Sequence, residues 1–304
     1  MVGLAFLALT LSLMFMPLSG LWATTLVESD RTSALPESSE KRHTRTFPHG
    51  LGETLWTLEA SRFICRLSNT IPGLGRFDLT AQAGGDERVT LQPDPLYDQD
   101  RHVVFSLGPP AWKSDAPSTV LKEQYFASGK RLSIAFNISS LVESMQQGKE
   151  LVFDVRRKPD PDFRLRVPSI QIQKTAGDFF LCQDQLLVMN FQQARQNHFY
   201  YLSKQKVLND RQKARLANIA NYLMADNTVI KMTIDSHTDS IGSDLINRKI
   251  SEQRARNIHG FLLGLGVPAE KLLMRFHGER YPVASNRSEA GRDKNRRVEI
   301  QLLK

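Results

Sequence analysis

Residues 236–255 read SHTDSIGSDLINRKISEQRA. The stretch opens as the end of a strand, turns at Gly242 and becomes amphipathic from about Ser243. Ile246, Ile250, Ile258, Phe261, Leu262 and Leu265 recur at helical spacing. At about 100° per residue they fall on one arc of a helix. Arg254 and Asn247 lie inside that arc. Desolvating a guanidinium is costly unless it is paired, so an arginine on an apolar stripe should sit where the stripe meets a charged partner or a ligand.

Working outward, NHFYYL (197–202) is a strand candidate. Asn209 or Asp210 then caps a helix over about 211–224, with Leu216, Ile219, Ala220 and Leu223 on one face. TVIKMTID (228–235) alternates, which puts Ile230, Met232 and Ile234 on one side of a strand. The helix from Ser243 should end at Gly264 or Gly266. KLLMRFHG (271–278) and RRVEIQLL (296–303) supply two more strands, joined by a polar loop over 279–294. The order β-α-β-α-β-β predicts an α+β domain with helices packed on one sheet.

Upstream the pattern changes. LWTLEASRFICRL, GRFDLTAQA, ERVTLQP, RHVVFSLG, RLSIAFNIS, ELVFDVRR and FRLRVPSIQIQ are short apolar runs, several of them alternating. Gly73, Gly75, Gly84-Gly85 and Pro109-Pro110 punctuate them. Seven such runs at close spacing predict an all-β sandwich or a barrel-like domain. This half contains no catalytic constellation. The expected division is a signal peptide over 1–23, a polar flexible leader over 24–50, a β-rich domain over 51–186 and the α+β domain over 187–304.

The apolar run 4–16, followed by Pro17 and Ser19-Gly20, fits a secretory signal better than a spanning helix, which needs about 20 apolar residues. Ala23 is the expected last residue before cleavage; an uncleaved anchor is the alternative. Export gives the two cysteines of the chain, Cys65 and Cys182, a compartment in which they can form a disulfide. Two buried free thiols are the other reading. The 304 residues carry a net charge of +8, which suits an anionic partner such as nucleic acid, a membrane face or the cell-wall polymer. The basic residues are scattered, and no binding motif or aromatic platform accompanies them, which argues against nucleic acid. His237 and His277 have no third ligand at metal-site spacing. Ser236 and Ser251 have no histidine base placed by motif, so hydrolysis has no support. Nothing points to a cofactor.

SHTDSIGSDLINRKISEQRARNIHGFLLGLGV, then HGERYPVASN, then GRDKNRRVEI together resemble the OmpA-like peptidoglycan-binding domain, over about residues 190–304. LWTLEASRFICRLSNTIPGLGRFDL resembles the start of the β-rich domain of the MotY family, flagellar motor proteins of the T ring. The resemblance implies a periplasmic, non-enzymatic protein associated with the flagellar basal body, the cell wall and the outer membrane. Its implied partners are a MotX-like protein, the basal body and stator units. It also implies pairing of Cys65 with Cys182. A general wall-linker of the OmpA type, with no motor role, is the alternative.

An aspartate and an arginine at one pocket mouth are complementary to a zwitterion. An arginine can hold a carboxylate through two parallel bonds. Amides near Gly242 at the helix N-terminus add positive potential. The side chain of meso-diaminopimelate in uncrosslinked peptidoglycan ends in such a zwitterion. Carried over from the family motif, Asp239 would take the ammonium and Arg254 the carboxylate. Asn247 would add a hydrogen bond, and Thr238 and Arg296 would line the pocket. One departure stands out: where the family has F-D-x-N, this chain has Phe199-Tyr200-Tyr201-Leu202, without the aspartate and the asparagine. A structural Asp239–Arg254 ion pair is the competing reading of the site. Arg297, of opposite parity to Arg296, is expected on a solvated strand face.

Overall fold

The computed structural model describes residues 56–71, 75–92, 100–113, 115–157 and 163–304. The expected signal peptide and leader lie outside these residues. No helix among them is long and apolar enough to cross a membrane.

The first half is built from two antiparallel sheets. One runs in the order β1 (Trp56–Ala60), β2 (Ile64–Ile71), β3 (Gly75–Gln82), β4 (Asp86–Gln92), β7 (Ser133–Ala135). The other runs β6 (Thr119–Phe126), β5 (Arg101–Gly108), β8 (Glu150–Arg157), β9 (Phe163–Val167). Alternate residues of both sheets, among them Leu67, Phe77, Leu79, Phe105, Leu151 and Phe153, enter one core. Phe153 links the sheets, stacking on Phe105 at 4.8 Å between ring centroids and meeting Phe77 edge-on at 5.6 Å. Two helices complete this core: α1 (Ile138–Gln146), which contributes Ile138, Leu141, Val142 and Met145, and α2 (Gln173–Asp184), which contributes Ala176, Phe179 and Cys182. Cys65 of β2 and Cys182 of α2 are joined by a disulfide, with 5.9 Å between their Cα atoms.

Three of the apolar runs resolve differently from the expectation. LWTLEASRFICRL is two strands, because Ser61 turns the chain by accepting from the Phe63 and Ile64 amides. RLSIAFNIS is strand only over β7, since Asn137 caps α1 through the Ser140 amide at 2.8 Å. FRLRVPSIQIQ stops at Pro168, which cannot donate to a ladder, and the chain enters α2 through Gln171 at φ 64°. Strand β6 carries no alternating signal and is an addition to the sequence reading.

The second half follows the expected order. After a one-turn helix α3 (Phe191–Ala194) come β10 (Gln196–Tyr200), α4 (Asp210–Ala225), β11 (Lys231–His237), α5 (Asp244–Gly264), β12 (Leu272–Gly278) and β13 (Arg297–Leu303). The polar segment before β13 contains a further short helix, α6 (Glu289–Asn295). The sheet order is β10-β13-β11-β12. Strands β11 and β12 are parallel, and β13 is antiparallel to both β10 and β11. Leu216, Ile219, Ala220 and Leu223 of α4 and Ala255, Ile258 and Leu262 of α5 pack on Met232, Ile234, Val298 and Ile300. Ile230 is the exception to the expected strand face; it precedes β11 and is exposed.

The two halves share a packed junction. The Leu187 amide donates to Arg62 O at 2.9 Å, and Leu187 O accepts from the Gly84 amide at 3.1 Å. Phe63 packs on the second core, its ring 5.7 Å from that of Tyr222. Gly84 sits at φ +83°, and a Cβ there would strike the Gln193 and Asn190 side chains. Both facts demand glycine at this turn.

Candidate functional site

Because β10, β11 and β12 run the same way and β13 runs against them, three C-terminal strand ends and one N-terminal end lie at one edge of the sheet. The segments that follow or precede them, 201–209, 238–243 and 279–296, therefore gather there. All five residues expected at the site come from these segments or from the first half of α5.

Thr238 and Asp239 continue from β11. The Thr238 amide donates to Gly278 O at 2.8 Å, and its hydroxyl donates to Asp239 O at 2.8 Å, which fixes the chain direction into the turn. Asp239 Oδ1 accepts from the Ile241 amide at 3.2 Å, a local aspartate turn. Gly242 follows at φ +107°, a conformation that favours glycine. Ser243 then caps α5, accepting from the Ile246 amide at 3.4 Å.

The buried line of α5 is Asn247, Ser251, Arg254, Ala255, Ile258 and Leu262. It is rotated from the arc drawn through the isoleucines: Ile246 is 54% exposed and Leu265 37%. Polar residues occupy the inward positions of the first turns because they have partners there. Asn247 Nδ2 donates to Glu279 Oε2 at 2.7 Å. Ser251 Oγ donates to Arg248 O at 2.8 Å and accepts from the Gly278 amide at 3.0 Å, so it joins the helix to the end of β12.

Arg254 is 2% exposed. Its Nε donates to Gln205 O at 3.0 Å and its Nη1 to His237 O at 3.2 Å. The guanidinium lies over the Tyr201 ring, 4.5 Å from its centroid. Nη2 has no acceptor among the described residues. Burial pushes the Arg254 pKa down to about 10, opposed by Tyr201 and Asp239, so the group is charged at neutral pH.

Asp239 does not pair with Arg254. Its Oδ2 accepts from Arg296 Nη1 at 2.6 Å. Arg296 Nη2 also meets Glu289 at 2.9 Å and Asp293, and its Nε donates to Tyr201 O at 3.3 Å. Three carboxylates thus surround Arg296, while Arg254 is held by carbonyls and an aromatic ring. The competing reading, a structural Asp239–Arg254 ion pair, does not hold; Asp239 pairs with Arg296 instead. Arg297 is also corrected: it is buried rather than solvated, with Nε on Glu299 Oε1 at 2.6 Å and Nη2 on Tyr281 O at 3.3 Å. The segment around Tyr281 covers the outer sheet face at this point, which strand parity alone does not foretell.

His237 and His277 stack at 4.7 Å, and His237 Nδ1 donates to Arg280 O at 3.0 Å. His277 meets Asp235 Oδ1 at 2.9 Å, an oxygen that also accepts from Arg275. No group of three metal-ligating side chains occurs among the described residues. At the positions where the family motif is lost, Tyr200 and Leu202 are exposed, whereas Tyr201 between them is buried beneath Arg254. Tyr201, Gln205, Glu279, Glu289 and Asp293 are participants that the sequence does not assign. The alternation Phe199, Tyr201 about an exposed Tyr200 is the signal that was available for the first of them.

The edge therefore offers a cation with an unused donor group among the described residues and a carboxylate fixed by a second arginine, with tight turns on either side. Such a set can hold a small zwitterion by charge-assisted bonds.

Residues 47–187 match the family model of the MotY N-terminal domain, and residues 200–296 match that of the OmpA family. The chain is 24% identical to the sodium-type flagellar protein MotY of Vibrio parahaemolyticus over 246 residues, 78% of this chain and 83% of that protein. It is 38% identical to the outer-membrane lipoprotein YfiB of Pseudomonas aeruginosa over 93 residues, 31% of this chain and 55% of that protein. Among solved structures, the C-terminal domain of Helicobacter pylori MotB is similar over 36% of this chain and 84% of its own, at 22% identity and a TM-score of 0.34.

Proposed function

From a chain that joins a MotY N-terminal domain to an OmpA-family domain, we propose that this protein binds peptidoglycan through the strand-end site of its second half and anchors a flagellar basal-body ring, with its stator units, to the cell wall. The protein works by holding rather than by catalysis, in the periplasm beside the outer membrane. Its first half attaches to the basal body and to a MotX-like partner.

The observation that carries this reading is the state of Arg254: buried, charged, fixed by two backbone carbonyls and a ring, and with Nη2 unused among the described residues. Nη2 is not fully buried, so it is open to an incoming acceptor, and a carboxylate there would add a charge-assisted bond. The terminal carboxylate of a meso-diaminopimelate side chain supplies that acceptor. Asp239 receives the ammonium of the same group, with Arg296 holding its carboxylate in place. Thr238 fixes the turn that presents Asp239, and Asn247 closes the helix side of the pocket.

The test has two arms. The purified chain should co-sediment with sacculi that contain diaminopimelate, without releasing muropeptides. A strain lacking the gene should lose motility and regain it with the wild-type chain. Swimming intact in the deletion strain, with a disturbed envelope, would favour the outer-membrane linker over the motor role. Failure to sediment with sacculi would overturn both.

A further inference from the structure

Tyr201 is 2% exposed, and its hydroxyl has no hydrogen-bond partner among the described residues. A buried hydroxyl without a partner costs stability, so a phenylalanine would serve the core better at this position. The other atoms of the residue are all engaged. Its amide donates to Arg296 O at 2.8 Å, its carbonyl accepts from Arg296 Nε, and its ring carries the Arg254 guanidinium. Tyr201 therefore touches both arginines of the site, and its one unused group belongs to a side chain that supports Arg254.

Two side chains in contact then each carry a donor without an acceptor among the described residues, the fully buried Tyr201 hydroxyl and the accessible Arg254 Nη2. A carboxylate has two oxygens. We propose that Tyr201 is a specificity-determining residue of the site: its ring holds the Arg254 guanidinium in place, and its hydroxyl donates to one oxygen of the ligand carboxylate whose other oxygen takes Arg254 Nη2. This rests on the reading of the site as a wall-peptide pocket and deepens it. Burial also keeps the phenol well above its usual range, so it remains a donor at any physiological pH.

The experiment uses the full chain and two soluble probes, the tripeptide L-Ala-γ-D-Glu-meso-diaminopimelate and the same tripeptide with its terminal diaminopimelate carboxyl converted to an amide. Wild-type protein should prefer the acid. Tyr201→Phe keeps the ring and removes the hydroxyl. It should melt at the same temperature or higher, yet bind the acid roughly tenfold more weakly, because a hydrogen bond to a charged acceptor is lost. Its preference for acid over amide should shrink by about fivefold to tenfold, a change that a purely structural role would not produce. Tyr201→Leu, which also removes the platform, should bind more weakly again. Wild-type affinity and acid preference retained in Tyr201→Phe would overturn the assignment while leaving wall binding intact. No binding of either probe by the wild-type chain would remove the pocket reading and the proposal with it.

Discussion

Helices α4 and α5 lie on the same sheet, yet they bury different chemistry. The inward line of α4 is Leu216, Ile219, Ala220, Tyr222 and Leu223. That of α5 begins with Asn247, Ser251 and Arg254 and becomes apolar only from Ala255 onward. The ends differ as well. Asn209 and Gln212 form a reciprocal capping box at α4, with bonds of 2.9 and 3.0 Å, whereas α5 starts on a single serine bond of 3.4 Å after a glycine turn. α4 is optimised as a core element. The first turns of α5 bury groups that are costly to desolvate and leave one of them with donors unused. Departures from local optimality of this kind collect where a protein binds something.

The contrast predicts opposite consequences for substitutions at equivalent depth. Leu216→Ala should show the largest effect on stability, about 2–5 kcal/mol in urea unfolding, because it removes a fully buried side chain and leaves a cavity. The protein that remains folded should hold sacculi as the wild type does. Reduced affinity in that folded fraction would mean that α4 also shapes the site.

Asp239→Asn should behave the other way. It keeps the shape and one acceptor for Arg296, which retains Glu289 and Asp293, so the melting temperature should move little. Sacculus binding should fall roughly tenfold or more, since the ammonium loses its charged acceptor. A large drop in melting temperature with binding preserved would make the Asp239–Arg296 pair purely structural.

At the helix starts the expected differences are smaller. Asn209→Ala removes a capping box and should cost about 1 kcal/mol, and Ser243→Ala, with its longer bond, should cost less. Equal costs in thermal melts would show that the Gly242 turn relies on its serine as much as α4 relies on its asparagine.

The smallest effect is one of pH. Burial holds His237 below the usual imidazole range, helped by Arg297 and His277 and opposed by its bond to Arg280 O. The unfolded chain then takes up a proton that the folded chain resists, so stability should fall as pH drops below about 6.5 and be insensitive to His237 above it. The urea midpoint should be lower at pH 5.5 than at pH 7.5, and His237→Gln should reduce the difference. An undiminished difference would assign it to other groups.

Much of this contrast is legible in the residues. The extent and cap of α4, the start of α5 at Ser243 and its end at Gly264 follow from apolar spacing and cap chemistry, which are local. The facing of α5 does not. Ile246 and Ile250 suggest a stripe that the pocket displaces, because the inward positions are taken by polar groups with distant partners: Glu279 for Asn247, Gly278 for Ser251, and Gln205 and His237 for Arg254. The same limit explains Arg296, whose pairing with Asp239 joins residues 57 apart in sequence. It explains Arg297 too, which the covering Tyr281 segment takes out of solvent. In the first half, strands with clear alternation are legible, while β6 and the two helices are not. Asn137 sits as a cap inside a run that otherwise reads as strand.

The most direct measurement is sacculus binding by Arg254→Ala, made together with its thermal melt. The substitution removes the guanidinium from above Tyr201 and leaves the apolar half of α5 untouched. The account predicts a folded protein with a cooperative melt and at least tenfold weaker binding, the loss of a charge-assisted bond to a carboxylate. Wild-type binding by a folded Arg254→Ala protein would contradict it.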